Sequence, residues 1–264
     1  MYTFNYHKPT SVAEAVSLLA ANEDAKLVAG GQTFIPTLKQ RLAQPSDVID
    51  LGKITELKGI KEEAGGLTIG AMTRHADIAH SADVKRLIPS LAALAELIGD
   101  PQVRNRGTLG GSISNNDPAA DYPGALLALG ATIRTNKREI AADDFITGMF
   151  ETALERDEIV TAVHFPKPEA GAYEKFPNPA SRYSMVGVFV AKVGGKVRVA
   201  VTGAGPCAFR WTDAETALAG SFGPAAIDGL SVDPGRLNGD MHGSAEYRAH
   251  LIKVMAKRAV EAAA

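Results

Sequence analysis

Apolar and polar positions alternate along this chain in two rhythms, and the changes between them mark the elements. Behind Ser11 and Glu14, a capping-box pair, Val12, Ala15, Val16 and Leu19 fall on one face of a predicted helix. Lys26 to Ala29 reads as a strand, Phe34 to Leu42 as a helix with Phe34, Ile35, Leu38 and Leu42 inward, and Asp47 to Leu51 as a second strand. That order is a βαβ unit. Leu67 to Met72 is a further strand, Thr73 to His80 a short helix, and Asp83 to Ile98 a longer one carrying Leu87, Ile88, Leu91, Leu94, Ala95 and Ile98 toward a core. The rhythm is lost from Gly99 to Pro123 and resumes in an apolar helix from Pro123 to Leu129. Ala131 to Thr135 and Glu158 to Phe165 read as strands around a loop that carries Phe145 to Glu151. Prolines 166, 168, 177 and 179 then crowd the chain, and a domain boundary is placed near Phe176. Beyond it, Val186 to Val193 and Lys196 to Thr202 predict an antiparallel pair. A helix from Asp213 to Ala219 follows, and a final amphipathic helix begins at Ser244 with Tyr247, Leu251, Val254 and Met255.

Two glycine pairs interrupt this pattern where chemistry is expected. Gly30-Gly31 lies in Leu27-Val-Ala-Gly-Gly-Gln-Thr33, and Gly110-Gly111 lies in Gly107-Thr-Leu-Gly-Gly-Ser112. Glycine admits positive φ and lets a ligand approach where a Cβ would clash. Successive free N–H groups then form a concave anion site. One such turn is ordinary turn chemistry; two, each followed by hydroxyl or amide side chains, predict a clamp on a pyrophosphate. Asp117-Pro-Ala-Ala-Asp-Tyr-Pro123 adds two carboxylates. Asp117 is expected to cap the turn, and Asp121 to cap the helix at Pro123 or to accept hydrogen bonds from ribose hydroxyls.

Other chemistries find little support. Gly203-Ala-Gly-Pro-Cys-Ala208 matches a dinucleotide fingerprint, but Lys196 and Arg198 alternate with valines before it, as in a half-exposed antiparallel strand. Pro206 breaks its turn, so Rossmann-type nicotinamide binding is rejected. His75 and His80 are five apart, which points them to different helix faces, and both are read as surface or helix-end residues without a metal role. No nucleophile–base spacing can be assembled, and no catalytic residue is assigned.

Composition narrows the reading further. The 264 residues are 45% hydrophobic, enough for one large domain or two small ones. A net charge of −2 with interspersed signs leaves no footprint for nucleic acid. No apolar run is long enough for a transmembrane segment, and Met1 to Pro9 lacks the features of a signal peptide. A cytoplasmic location is expected, with association at the inner face of the membrane left open. The one cysteine, Cys207, permits no internal disulfide, and it leaves the chain unable to hold an iron–sulfur cluster alone, which takes about four cysteine ligands.

Several motifs in the same order resemble the FAD-binding medium subunit of bacterial molybdenum hydroxylases, the family of aerobic carbon monoxide dehydrogenase and xanthine dehydrogenase. They are Phe4-Asn-Tyr-His-Lys-Pro9, Ala29-Gly-Gly-Gln-Thr33 with Lys39-x-Arg-Leu-Ala43, Asp100-Pro-Gln-Val-Arg104, Thr108-Leu-Gly-Gly-Ser112, Asp117 to Pro123, Tyr173-Glu-Lys-Phe176 and Gly243-Ser-Ala-Glu-Tyr-Arg248. The resemblance implies an α+β fold. A PCMH-type FAD-binding domain of two subdomains (residues 1–57 and 58–176) is followed by a small C-terminal domain of antiparallel sheet and helices (177–264). It implies that Ala29, Gly30, Gly31, Gln32 and Thr33, together with Thr108, Leu109, Gly110, Gly111 and Ser112, hold the pyrophosphate of FAD. Asp121 matches an acidic residue on the nucleotide side, Lys175 a basic residue near the flavin ring, and Tyr183 an aromatic beside it. Thr33 stands where serine is common and Leu109 where isoleucine is common; Asn115-Asn116 replaces a variable segment.

The function implied is electron transfer within an oxidoreductase. Substrate is oxidised at a molybdopterin-type cofactor in a large subunit, and [2Fe–2S] clusters of a small subunit pass electrons to the FAD of this chain, which serves a terminal acceptor. The assembly implied is a dimer of heterotrimers, a heterohexamer. The alternatives are a free-standing FAD-dependent oxidoreductase, which needs its own acid–base residue, and a nucleotide-binding assembly module, which would lack flavin absorbance.

Overall fold

Three principal sheets succeed one another along the chain, and the computed structural model describes residues 1–63 and 65–263. The first unit comprises β1 (Asn5–His7), α1 (Val12–Ala21), β2 (Lys26–Val28), α2 (Phe34–Lys39) and β3 (Asp47–Asp50). Its strands are parallel in the order β1-β3-β2, with Asn5 opposite Asp47 and Lys26 opposite Val48. Ser11 caps α1 as expected, accepting the Glu14 N–H (3.2 Å), while the Glu14 carboxylate reaches back to the N–H of Thr10 (2.9 Å). The β2–α2–β3 segment is the expected βαβ unit, with Gly30-Gly31 just past the C-terminal end of β2.

Helix α2 departs from its expected pattern. It stops at Lys39, Arg41 turns to φ 60°, and of the four apolar residues assigned inward only Leu38 is buried. Ile35 and Leu42 are 40% and 73% exposed. A helix of under two turns presents one narrow face, and Leu38 fills it against Val28 and Val48.

The second unit begins with β4 (Ile60–Glu63) and β5 (Gly66–Gly70), then α3 (His75–His80), α4 (Ala82–Leu87), α5 (Pro89–Glu96), α6 (Pro101–Arg104), α7 (Leu109–Asn115) and α8 (Tyr122–Leu129). It ends with β6 (Thr132–Thr135), β7 (Glu139–Ala141), α9 (Ala142–Phe145), β8 (Ile146–Gly148), β9 (Glu151–Thr152) and β10 (Val160–Pro166). An antiparallel sheet in the order β4-β5-β10-β6-β7 packs its apolar face on these helices. The single helix expected over 83–98 is split at Ile88 (φ −140°, ψ 66°), because Pro89 bars the helical conformation before it and lacks an N–H. The expected irregular stretch from Gly99 to Pro123 instead holds α6 and α7. Both have side-chain caps, Asp100 on the Val103 N–H and Thr108 on the Gly111 N–H.

The third unit contains β11 (Ala170–Pro177), β12 (Ser184–Val193), β13 (Lys196–Thr202), β14 (Phe209–Arg210), α10 (Thr212–Gly220) and α11 (Ala245–Ala263). Its four strands form an antiparallel meander. Because β11 pairs with β12 from Ala170 onward, the residues up to Phe176 belong with the C-terminal sheet, and the seam lies ahead of the expected boundary. Strand β12 is buried on both faces. Phe189 and Ala191 join the core of the second unit, while Val186, Val188 and Val190 pack under α11. The strand before the rejected fingerprint is antiparallel as read, yet only its first half is open; Ala200 and Thr202 are buried. Arg248 ties α11 to this sheet by donating to Met185 O (2.8 Å) and Gly203 O (2.9 Å).

Candidate cofactor site

A cavity of about 700 Å³ is lined by the first unit, the second unit and the β11–β12 loop together. Ala29 through Thr33 all face it, as do Thr108, Gly110, Gly111 and Ser112. Asp121 and Tyr183 also line it. Leu109 and Lys175 do not: Leu109 is fully buried in the core, and Lys175 opens on a smaller adjoining cavity of about 270 Å³.

The two turns touch each other. A Cβ on Gly30 would lie 2.2 Å from Arg106 O and 2.7 Å from Gly107 Cα, so the first turn packs directly on the chain leading into the second. Gly31 sits at φ +73°, where a side chain would be strained and would also meet Ile35. Among the described residues, the N–H groups of Gly31, Gln32 and Thr33 find no backbone or side-chain acceptor, and Thr33 makes no side-chain cap. They are a short row of open donors at the cavity wall.

The second turn is organised differently. Leu109 N–H donates to Thr73 O (3.0 Å), Gly110 N–H to Ala71 O (2.8 Å) and Gly111 N–H to Thr108 Oγ1 (3.2 Å). Gly110 is there for close packing, since its Cβ would fall 2.6 Å from Ala71 Cβ. The expectation of two matching N–H cradles is therefore corrected. The first turn supplies donors; the second supplies a bare surface, the start of α7 and the Ser112 side chain.

Asp121 differs more sharply from its reading. It occupies the position before α8 but makes no capping bond. Its carboxylate, 5% exposed, instead accepts from Tyr173 OH (2.5 Å), Ser184 Oγ (2.9 Å) and Lys175 Nζ (3.0 Å), and Lys175 also donates to Leu97 O (3.1 Å). Three donors from the protein thus share a carboxylate that has about four acceptor sites, so most of its capacity is spent within the fold. Nor can Asp121 and Lys175 serve opposite ends of a dinucleotide, because they touch. Burial and the adjacent Asp121 charge hold the Tyr173 phenol protonated, its pKa far above the ordinary value. Asp117 does cap its turn, accepting from Ala119 N–H (2.9 Å), and also faces the cavity, where burial raises its carboxyl above the usual range. Tyr183 stands at the rim, 42% exposed, its phenol raised by partial burial and by Asp117.

Residues missed by sequence reasoning complete the wall. His75, expected at the surface, is 4% exposed and lines the cavity. Its N–H donates to Gly107 O (3.0 Å), while burial, aided by the Arg104 charge, pushes its imidazole down to about 4. Its Nδ1 and the hydroxyl of Tyr122, whose ring lies 5.3 Å away, are buried without partners among the described residues. Nothing in the helical spacing signalled this, because its neighbours on α3 do not cover it; the second turn does. Phe150 lines the cavity from the segment read only as a loop carrying Phe145 to Glu151. Glu158, held down to about 2 chiefly by Arg138, lines it together with Ile159 and Val160.

Comparison with known proteins places this geometry. Residues 2–168 match the FAD binding domain in molybdopterin dehydrogenase, and residues 171–263 match the CO dehydrogenase flavoprotein C-terminal domain. The chain is 38% identical over 280 residues to the carbon monoxide dehydrogenase medium chain of Hydrogenophaga pseudoflava, covering 98% of this chain and 96% of that one. It is likewise 38% identical over 270 residues to the nicotine 6-hydroxylase medium subunit of Paenarthrobacter nicotinovorans, covering 97% and 95%. A solved structure of carbon monoxide dehydrogenase from Hydrogenophaga pseudoflava, lacking the Mo-pyranopterin moiety of its cofactor, superposes with a TM-score of 0.90 at 38% identity, covering 99% of this chain and 97% of that one. Quinoline 2-oxidoreductase from Pseudomonas putida 86 superposes with a TM-score of 0.89 at 30% identity, covering the same shares.

Proposed function

The chain belongs to the FAD-binding medium subunits of the molybdenum hydroxylase family, and from that premise we propose that it relays electrons from the [2Fe–2S] clusters of a small partner subunit to a terminal acceptor. In this reading a large partner subunit carries the molybdenum cofactor and oxidises the substrate, and the three chains assemble in the cytoplasm as a dimer of heterotrimers. The single cysteine is consistent with clusters that reside in another polypeptide.

One observation carries the proposal: two glycine turns, separated by some eighty positions, meet on the wall of one cavity whose size suits a cofactor. The residues present fit FAD. The open N–H groups of Gly31, Gln32 and Thr33 would donate to pyrophosphate oxygens, and Gly111 and Ser112 would let the same bridge lie close on the other side. When bound, FAD supplies two-electron redox chemistry that can proceed in single-electron steps. The protein's part is to hold the cofactor, exclude water and set the surrounding charge. The Asp121–Lys175 pair acts as one buried unit beside the cavity, so Lys175 influences the site through a paired charge rather than a free one. Tyr183 and Asp117 define the edge nearest the C-terminal sheet.

The assignment is tested by co-expressing the chain with its two partner subunits and recording flavin, iron and molybdenum content. One FAD per chain, with cluster-to-flavin electron transfer seen on reduction by substrate, is the expected result. A colourless chain within an otherwise loaded complex overturns it.

A further inference from the structure

Helix α7 has the second glycine turn at one end and Asn116 at the other. Asn116 is 1% exposed and left-handed (φ 43°, ψ 49°), and it closes the helix through its N–H to Ser112 O (3.1 Å). Its side-chain Nδ2 donates to both Gly148 O (2.9 Å) and Glu151 O (2.7 Å), and its own carbonyl accepts the N–H of Phe150 (3.2 Å). One buried residue thus grips the two-stranded β8–β9 hairpin at both strand ends and at its tip.

That tip is unusual. Phe150 has φ 55°, a conformation that a bulky side chain avoids unless its surroundings impose it. Its ring joins none of the core clusters of the described residues; it is 54% exposed and lines the cavity rim. A large apolar ring left outside the core, and held by hydrogen bonds referenced to the phosphate-facing helix, is placed for a planar ligand.

We propose that Phe150 is an aromatic cap that packs on a planar heteroaromatic ring of the cofactor, and that Asn116 is the residue that positions it. The inference rests on the reading that FAD occupies the cavity. FAD carries two such rings, the isoalloxazine and the adenine, and Phe150 takes one of them.

The test is FAD titration of the flavin-stripped complex of this chain with its two partner subunits, followed by fluorescence, with circular dichroism to check folding. Phe150→Ala weakens FAD binding by about tenfold, the size of a lost ring stack, whereas Phe150→Tyr binds as the wild type does. Asn116→Gly keeps the left-handed turn but loses the Nδ2 bonds, and it shows a similar loss although Phe150 is present. Competition with FMN and with ADP separates the two sources. A loss confined to FAD and FMN assigns the isoalloxazine, and one confined to FAD and ADP assigns the adenine. Unchanged FAD affinity in Phe150→Ala, or equal weakening of FMN and ADP, overturns the cap. A normal affinity in Asn116→Gly overturns its positioning role. Failure of the wild-type complex to bind FAD would instead defeat the functional reading on which the inference stands.

Discussion

The two glycine turns look alike as strings of residues and behave differently as structure. Gly30-Gly31 follows a parallel strand and leaves consecutive N–H groups without acceptors on residues that line the cavity, with Gly31 in the left-handed region. Gly110-Gly111 opens a capped helix, and its N–H groups are engaged by Ala71 O and Thr108 Oγ1. In the first turn glycine makes donors available; in the second it makes room. The lesson is that a glycine pair beside a ligand site has two physical uses, and only the acceptors around it tell them apart.

The comparison breaks most visibly at Gly30, where the two turns meet. Gly30→Val drives a branched side chain into Arg106 O and separates them, so the protein should purify without the visible absorbance of bound flavin. Full flavin content in this variant would show that the turns need not touch.

Next in size is the cluster that follows the second turn. Lys175→Met leaves Asp121 as an uncompensated buried charge and should cost about 3–5 kcal/mol in urea unfolding. It should also lower the potential of bound flavin, since negative charge then stands unopposed beside the cavity. An unchanged potential would separate the pair from the site.

His75, under the second turn, gives a pH signature. Its folded pKa of about 4 lies below the ordinary 6.5, so the unfolded chain binds the proton more readily. The contribution is fully present above pH 6.5 and declines as pH falls, reaching a loss of about 3 kcal/mol once pH passes below 4. Urea midpoints between pH 7 and 4 should carry this slope, and His75→Phe should remove its share of it.

The mildest change is Gly110→Ala. Its methyl group meets Ala71, and the expected cost is about 1–3 kcal/mol of stability with flavin retained. If that variant lost flavin while remaining as stable as the wild type, the second turn would be a ligand contact in the same sense as the first.

Much of this molecule was readable before folding. The Ser11 cap, the βαβ unit around Gly30-Gly31, the antiparallel pair β12–β13 and the final helix all depend on spacing and turn chemistry within a few residues. Both turns were singled out, and both line one cavity. What escaped were relations between distant positions. The break at Ile88 follows locally from Pro89, but the outward face of α2 was not legible, because its amphipathic pattern suited burial and the neighbouring strands accepted only Leu38.

Local order along the chain dictates where strands end, where glycines relax the backbone and which motifs mark the family, because those effects act within a turn or two. Which donors stay open, and which carboxylate is already satisfied, depends on groups brought from afar: Lys175 reaches Asp121 across 54 positions, and Asn116 reaches Gly148 across 32. A hydrogen bond or a buried charge is defined by its partner, and the partner arrives only when the sheets and helices pack.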